Sequence, residues 1–245
     1  MQLDYRPIND LTEQLTMLPA GWRVPMDVPP YRLSGRLYGA LLNHRSALVE
    51  LGAAVNGPPY QAPPKAPVLY IKPGTALATD LAAVKFPHGV VELEVGANLG
   101  VVIGRHACHL SEDTALEYIA GYLIVNDVSV PQRNHYRPSI RQRARDGFCP
   151  VGPRVVTRDA VPDPDALGIR VRIDGNLRQS FCTADLLRPV RRLLADVTEF
   201  MTLAPGDVLA VGSAAPAPRV LPGQRVSIEI DHVGVLENPF VGEQP

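Results

Sequence analysis

Short apolar runs separated by proline and glycine recur along the chain, and this pattern predicts a protein built mainly of β-strands. The predicted strands are RLYGALLN, VLYIKP, VVELEV, LGVVIG, YLIVNDVSV, IRVRIDG, DVLAVG and RVSIEIDHVGVLEN. Fewer segments have the 3.6-residue spacing of helices, so the pattern predicts an α+β fold that is mostly β.

Four segments have helical features. HRSALVELGAAV has the spacing of a short helix, and NDLTEQLTML is a second short candidate near the N-terminus. In SEDTALEYIAGY, Ser111 is suited to cap the start of a helix and Gly121 to stop it. A fourth helix is predicted from Pro189 to about Leu203, because its apolar residues recur at i, i+3 and i+4.

The chain divides into three parts by pattern. Residues 1–36 are predicted to form a partly irregular extension, because PAGWRVPMDVPPYR contains four prolines. This extension could wrap the domain or a neighbouring subunit. Residues 37–240 have the pattern of one globular domain, and residues 241–245 form a tail.

Charge and composition narrow the class of protein. Lys and Arg number 24 against 25 Asp and Glu, a formal net charge of −1, which argues against nucleic-acid binding. The start MQLDYRPIND lacks the features of a signal peptide, and no apolar run approaches the about 20 residues that span a bilayer. Three widely spaced cysteines fit a reduced protein, so we expect a cytoplasmic location and no membrane contact.

Two glutamates, Glu92 and Glu94, lie one residue apart in a predicted strand. Side chains alternate along a strand, so both carboxylates point to the same face. Such a pair could hold a divalent cation through oxygen ligands, or could consist of solvated or ion-paired charges.

A series of ordered motifs resembles the fumarylacetoacetate hydrolase superfamily over about residues 37–240. These motifs are VVIGRHACHLSEDTALEYIAGYLIVNDVS, YRPSIRQRARDGFCPVGPRVV, VRIDGNLRQSFCTADL, FMTLAPGDVLAVGS and GVLENP. ALLNHRSALVE, PPYQAPPKAPVLYIKP, IAGYLIVNDVSVP and RDGFCPVG more narrowly resemble one branch. This branch is the N-terminal half, or separate N-terminal subunit, of the bifunctional isomerase/decarboxylase of 4-hydroxyphenylacetate degradation. The resemblance implies a mixed β-roll with a few helices, assembled as dimers of like domains.

The resemblance also implies a chemistry. In this branch, 5-oxopent-3-ene-1,2,5-tricarboxylate loses CO₂, and the resulting 2-hydroxyhepta-2,4-diene-1,7-dioate is isomerised. Members of the superfamily use Mg²⁺ or Mn²⁺ to chelate the substrate oxygens. Both steps pass through an enolate, whose developing negative charge a cation stabilises.

The metal-ligand positions of the superfamily are only partly kept. Asp127, in VNDVS, matches the metal-binding aspartate, but the two glutamate positions fall on Gly96 and Asn98. Glu92 and Glu94 lie four residues too early, a displacement of about 13 Å along a strand. This offset favours the solvated or ion-paired interpretation of the two glutamates, and it argues against Mg²⁺ or Mn²⁺ in this chain.

The acid/base segment of the superfamily is altered as well. NHRSALVE keeps Glu50, but Ala47 stands where the resemblance implies a histidine. His44 is the nearby imidazole that could substitute, since histidine exchanges protons near neutral pH. His44 and Glu50 are therefore the candidate catalytic residues, although a lone histidine is often structural.

Five residues match substrate-binding positions by resemblance: Lys72, Tyr136, Arg141, Arg143 and Ser213. Arg143 falls on the substrate-binding lysine of the superfamily. A guanidinium can bind a carboxylate through two hydrogen bonds, which suits a substrate with two or three carboxylates. The alternative is that this basic segment simply faces solvent.

Three functional hypotheses follow. The chain could be a catalytic subunit of the decarboxylase/isomerase, acting on a small oxo-di- or tricarboxylate. It could instead be a degenerate subunit that supports a metal-bearing paralogue, or a hydrolase or decarboxylase of another oxo-acid. In each case the expected assembly is a homodimer or a heteromer with a paralogous subunit.

Overall fold

The computed structural model describes residues 27–132 and 139–242, and the fold is given for these ranges. The α-helices are α1 (Arg45–Leu51), α2 (Ile140–Arg143) and α3 (Val190–Thr198). Short 3₁₀ turns lie at Gly52–Asn56, Gly74–Ala76, Ala115–Tyr118, Arg158–Ala160 and Thr183–Asp185. The strands are β1 (Asp27–Val28), β2 (Tyr31–Arg32), β3 (Leu37–Leu41), β4 (Val68–Lys72), β5 (Leu77–Ala78), β6 (Val84–Lys85), β7 (Leu93–Glu94), β8 (Ala97–Ile103), β9 (Ile119–Asn126), β10 (Cys149–Thr157), β11 (Gly168–Ile173), β12 (Asn176–Cys182), β13 (Val208–Ala210), β14 (Arg219–Val220), β15 (Arg225–Ile230) and β16 (Gly234–Val241).

Two mixed sheets form the body of the domain. The first has seven strands in the order β4-β3-β13-β8-β9-β10-β5, and the second has five in the order β12-β11-β15-β16-β6. Most neighbours are antiparallel, but β13 runs parallel to β3, β10 to β5 and β16 to β6. The predicted mostly-β α+β fold with a mixed β-roll is confirmed.

Strand β8 lies at the centre of the larger sheet and is buried along its whole length. Leu99, Val101 and Ile103 point into the main core, which the second sheet and α3 also line. Val102 points to the other side, into a smaller core. Burial on both faces explains why this strand has a continuous apolar sequence rather than an alternating one.

Several elements agree with the sequence. RLYGALLN and VLYIKP contain strands β3 and β4, and HRSALVELGAAV contains α1. The predicted helix from Pro189 to Leu203 is present but ends at Thr198. Leu203 instead forms an isolated bridge with Ala107, which draws the chain out of the helix.

The predicted helix in SEDTALEYIAGY is wrong. Ala115–Tyr118 forms only a 3₁₀ turn, and the chain then enters β9. In β9, Gly121 lies where β10 passes so closely that a Cβ atom would be 2.2 Å from the Val156 carbonyl oxygen. β9 pairs with β8 on one side and β10 on the other, and its two faces enter the two cores, which outweighs the local helical features of this segment.

Sequence reasoning missed strands β10 and β12. Pro150 and Pro153 lie within β10 and normally break a strand. The strand accommodates them because its pairing with β9 shifts register between Gly152 and Val156, which is typical of a bulge. The long run RVSIEIDHVGVLEN is two paired strands, β15 and β16, rather than one.

The last residues of the predicted N-terminal extension pack against the domain. β1 and β2 form a small antiparallel pair, and Val28 and Leu33 enter the smaller core. The Pro29 carbonyl accepts a hydrogen bond from the Val155 amide at 2.7 Å. The predicted helix in NDLTEQLTML lies outside the described residues, and the domain boundaries stay predictions.

No helix within the described part of the chain is long and apolar enough to cross a membrane.

Asn43 joins three separate segments, and its replacement tests how strongly the fold depends on them. Its amide donates to the carbonyls of Val211 (2.7 Å) and Arg188 (3.0 Å), and its oxygen accepts from the Arg188 amide. Asn43→Ala leaves these backbone groups unpaired, so we expect unfolding to become easier by about 3 kcal/mol. Urea denaturation measures this change, and Asn176→Ala, at the exposed start of β12, should stay within about 0.5 kcal/mol of the unaltered protein. Equal effects for the two variants would contradict the structural role of Asn43.

Candidate active site

A polar cavity of about 320 Å³ opens where the ends of β3, β4, β7 and β9 meet α1 and α2. The loop after β13 closes one side through residues 213–217. Seven charged or hydroxyl side chains in its wall are Glu50, Tyr70, Glu94, Asp127, Arg143, Ser213 and Arg219. The cavity therefore brings carboxylates and guanidinium groups together in a restricted volume, which is typical of a site for a small polar ligand.

Asp127 lies directly after β9 and is buried between two cations. Its Oδ1 atom is 2.9 Å from the Lys72 ammonium, and its Oδ2 atom accepts a hydrogen bond from Arg143 Nη1. Burial by itself raises the pKa of this carboxyl, but the attraction of Arg143 and Lys72 outweighs burial and holds the pKa below its usual value. Asp127 is therefore a fixed negative charge in the wall of the cavity.

Lys72 is fully buried and holds the segments around Asp127 together. Besides contacting Asp127, its ammonium donates hydrogen bonds to the carbonyls of Val128 (2.8 Å), Arg143 (2.6 Å) and Phe148 (2.8 Å). These contacts use the hydrogens of the ammonium, and Lys72 is not part of the cavity wall. Lys72 therefore holds Asp127 in place, and its predicted contact with a substrate stays a prediction.

Arg143 lies at the end of α2 and has only 8% of its surface exposed. Its guanidinium lies over the Tyr70 ring at 5.1 Å from the ring centroid. Burial disfavours the charged form, but the attraction of Asp127 outweighs burial and raises the pKa of Arg143. The predicted substrate-binding arginine is thus a permanent positive charge at the cavity, which excludes the solvent-facing alternative for this residue.

The two glutamates that the sequence left open have different surroundings. Arg219 contacts both of them, Glu92 at 2.8 Å and Glu94 at 3.1 Å. Glu92 is half exposed, as the ion-paired interpretation predicts. Glu94 is ion-paired too, but it also lines the cavity and accepts a hydrogen bond from the Ser129 hydroxyl at 3.0 Å.

The positions of the two missing metal ligands are closed to a cation. A Cβ atom on Gly96 would be 2.6 Å from the Asp127 carbonyl oxygen, so the backbones leave no room for a side chain. Asn98 accepts a hydrogen bond from the Gly212 amide at 2.7 Å and donates to the Gly96 carbonyl at 3.1 Å. Both carboxylate oxygens of Asp127 already contact Lys72 and Arg143. The residues at these three positions therefore do not fit Mg²⁺ or Mn²⁺. No cluster of three or more His, Cys, Asp or Glu side chains suited to a metal occurs in the ranges that the structure describes.

His44 caps the start of α1 and is not part of the cavity wall. Its Nδ1 atom accepts from the Ser46 amide at 3.2 Å, and its ring meets Phe181 edge-on with centroids 5.3 Å apart. Burial lowers the pKa of His44, although Asp185 raises it. The hydrogen bond to the Ser46 amide gives His44 a structural role as the cap of α1. Its predicted catalytic role stays a prediction to which the cavity geometry adds no support.

The other predicted site residues divide into two groups. Glu50 and Ser213 line the cavity together with Arg143 and Asp127, so residues distant in sequence meet in one place. Arg141 is exposed on α2 and lies outside the cavity wall. Tyr136 lies outside the described residues, and its role stays a prediction.

Sequence reasoning did not identify Tyr70, Gln132 or Arg219 as lining the cavity. A clue existed for Tyr70, because it lies two residues before Lys72 in a strand and therefore on the same face. Arg219 is distant in sequence from Glu94, and the pairing of β14 with β7 places these two residues opposite each other.

Comparison with known proteins identifies the family of this chain. The family described as Fumarylacetoacetate (FAA) hydrolase C-terminal matches residues 36–241. The 4-hydroxyphenylacetate degradation bifunctional isomerase/decarboxylase of Escherichia coli is 39% identical over 86% of this chain and 48% of its own length. The chain therefore spans about half the length of this curated relative.

Two solved structures are similar to the whole domain. The 2-hydroxyhepta-2,4-diene-1,7-dioate isomerase from Mycobacterium marinum has a TM-score of 0.71 and 28% identity, covering 87% of this chain and 77% of that chain. The maleylpyruvate hydrolase from Sphingobium sp. SYK-6, in complex with manganese (II) ion and pyruvate, has a TM-score of 0.69 and 28% identity, covering 85% and 71%. The family match over residues 36–241, the 39% identity to the Escherichia coli relative and the shared fold show that the chain belongs to the fumarylacetoacetate hydrolase family.

Proposed function

We propose that this chain catalyses decarboxylation or isomerisation of an unsaturated tri- or dicarboxylate in 4-hydroxyphenylacetate degradation. The substrates are 5-oxopent-3-ene-1,2,5-tricarboxylate and 2-hydroxyhepta-2,4-diene-1,7-dioate. The observation that carries this proposal is the buried guanidinium of Arg143 in the wall of a cavity that also contains Glu50. The 39% identity to a bifunctional isomerase/decarboxylase supports the choice of reaction.

Arg143 supplies the electrostatic part of the proposed mechanism. Loss of CO₂ leaves an electron pair that delocalises through the conjugated double bond onto the carbonyl oxygen and forms a dienolate. A fixed guanidinium next to that oxygen stabilises the new charge without having to reorganise, and it does so most strongly in a site shielded from water. Asp127 and Lys72 hold the guanidinium in place through the buried contacts described above.

Glu50 is the group proposed to move the proton. In the isomerisation, the enol hydroxyl loses a proton and a carbon atom at the far end of the diene gains one. The proton lost by the enol hydroxyl passes to solvent, and the Glu50 carboxyl, which lines the cavity, can donate a proton to the carbon atom and then recover one from solvent. Its exposed position at the end of α1 permits this exchange.

A supporting role beside a paralogous subunit is the second candidate function. The chain covers 48% of a relative in which both activities reside in one protein, so a like domain could complete the assembly. The closed metal positions at Gly96 and Asn98 favour this candidate if the chemistry requires a metal. A homodimer and a heteromer with a paralogue are both compatible with the domain.

Turnover by the purified chain with and without a chelator tests the proposal directly. Because the donor set around Asp127 does not fit a divalent cation, we expect loss of ultraviolet absorbance of the dienol substrate at equal rates in EDTA and in Mg²⁺. Activity that EDTA abolishes would contradict the metal-independent site. Activity that requires a metal-bearing paralogue would establish the supporting role instead.

Replacement of Arg143 tests the origin of the stabilisation. Arg143→Gln keeps hydrogen-bond donors but removes the charge, so we expect kcat/KM to fall about 100- to 1,000-fold. Steady-state kinetics measure the change. Arg192→Gln, which removes an exposed guanidinium on α3, is the matched control and should retain full activity. An Arg143→Gln variant as active as this control would contradict the proposed role of the positive charge.

A further inference from the structure

Tyr70 occupies the wall of the cavity between the two central charges. Its hydroxyl interacts with the nearby Asp127 carboxylate, and the Arg143 guanidinium lies over its ring. The side chain is partly exposed, and this exposure is towards the cavity that it lines. A ligand in the cavity therefore lies within reach of the phenol.

Gly39 fixes the place of this phenol. The residue is directly opposite Tyr70 in the antiparallel pairing of β3 with β4. A Cβ atom on Gly39 would lie 2.1 Å from Tyr70 Cζ and 2.2 Å from its hydroxyl oxygen. The absence of a side chain at residue 39 is therefore what lets the ring lie flat across the neighbouring strand, with its hydroxyl at the cavity.

Asp127 does not depend on Tyr70 for a partner. Its two oxygen atoms already contact Lys72 and Arg143, both of them cations. The phenol hydroxyl can consequently turn from Asp127 to a ligand without leaving a buried carboxylate unpaired. Its remaining neighbours are a guanidinium and a cavity, which favours an acceptor with negative charge.

Two further donors at the cavity lack a partner. Within residues 27–132 and 139–242, Arg143 Nε and Gln132 Nε2 are buried and make no hydrogen bond. Both belong to residues in the cavity wall. Buried N–H groups without acceptors are costly, and a ligand rich in oxygen atoms would satisfy them. The unpaired donors and the phenol thus point to the same kind of ligand.

We propose that Tyr70 is a further catalytic residue, whose hydroxyl donates a hydrogen bond to the enolate oxygen beside Arg143. This inference rests on the proposed function, since it assumes that an enolate forms in the cavity. The proton stays on the phenol throughout, and the residue acts by stabilising charge. Burial and the nearby Asp127 raise the pKa of Tyr70, which keeps the phenol protonated over the working pH range.

Tyr70→Phe in the full-length chain is the primary test. The variant keeps the ring that fills the space at Gly39, so we expect it to fold normally. We expect kcat to fall about 100-fold with little change in KM, because the hydrogen bond strengthens only as charge develops. Tyr122→Phe removes a phenol hydroxyl that is buried in the core, outside the cavity wall, and should retain the kcat of the unaltered chain.

Gly39→Ala and a binding measurement give independent readouts. An added Cβ atom displaces the phenol, so Gly39→Ala should lower kcat as Tyr70→Phe does, while circular dichroism reports whether it is folded. Calorimetry with oxalate, a planar dianion that resembles the enolate of an oxo-acid, should show at least tenfold weaker binding to Tyr70→Phe than to the unaltered chain.

The outcomes separate this inference from the proposed function. Assays use the chain alone, because turnover only with a paralogous subunit would establish the supporting role. Turnover by the unaltered chain with an unchanged kcat and oxalate affinity in Tyr70→Phe overturns the role of Tyr70 and leaves the proposed function standing. Absence of turnover by the unaltered chain alone overturns the proposed function and the role of Tyr70 with it.

Discussion

The buried contact of Asp127 with Lys72 and Arg143 is the constraint on which the site depends. A carboxylate removed from water is costly unless cations and hydrogen bonds compensate it, and here two cations contact its two oxygen atoms. Lys72 extends this compensation to three backbone carbonyls, which ties β4 to the segment after β9 and to the chain around α2. Removal of Asp127 would leave both cations buried without a counter-charge.

This arrangement decides what kind of chemistry the cavity can support. Arg143 presents a permanent positive charge, and the closed positions at Gly96 and Asn98 leave no donor set for a divalent cation. A guanidinium stabilises an enolate less strongly than a chelating metal, so additional hydrogen-bond donors gain importance. The phenol of Tyr70 and the unpaired amide of Gln132 are such donors. The cavity thus has the parts of an anion-stabilising site made from protein groups.

Many strands were predictable from the sequence because short apolar runs bounded by proline and glycine are typical of buried strands. β3, β4 and β8 follow directly from their sequences. The helix predicted to begin at Ser111 is absent because the last part of that segment belongs to β9, which lies between β8 and β10 and is buried on both faces. Helix-start features are local in sequence, so they carry no information about strands from distant parts of the chain that pair with the segment.

By itself, the sequence determined the family and the mostly-β class, because ordered motifs and apolar periodicity are local properties, and the resemblance predicted Asp127, Arg143 and Glu50 as site residues. The tertiary structure decided what those residues do. Only the approach of backbones shows that Gly96 has no room for a side chain, and only strand pairing places the Tyr70 ring over Gly39. Charge compensation and steric room depend on neighbours that are distant in sequence, so they emerge only when the chain is folded.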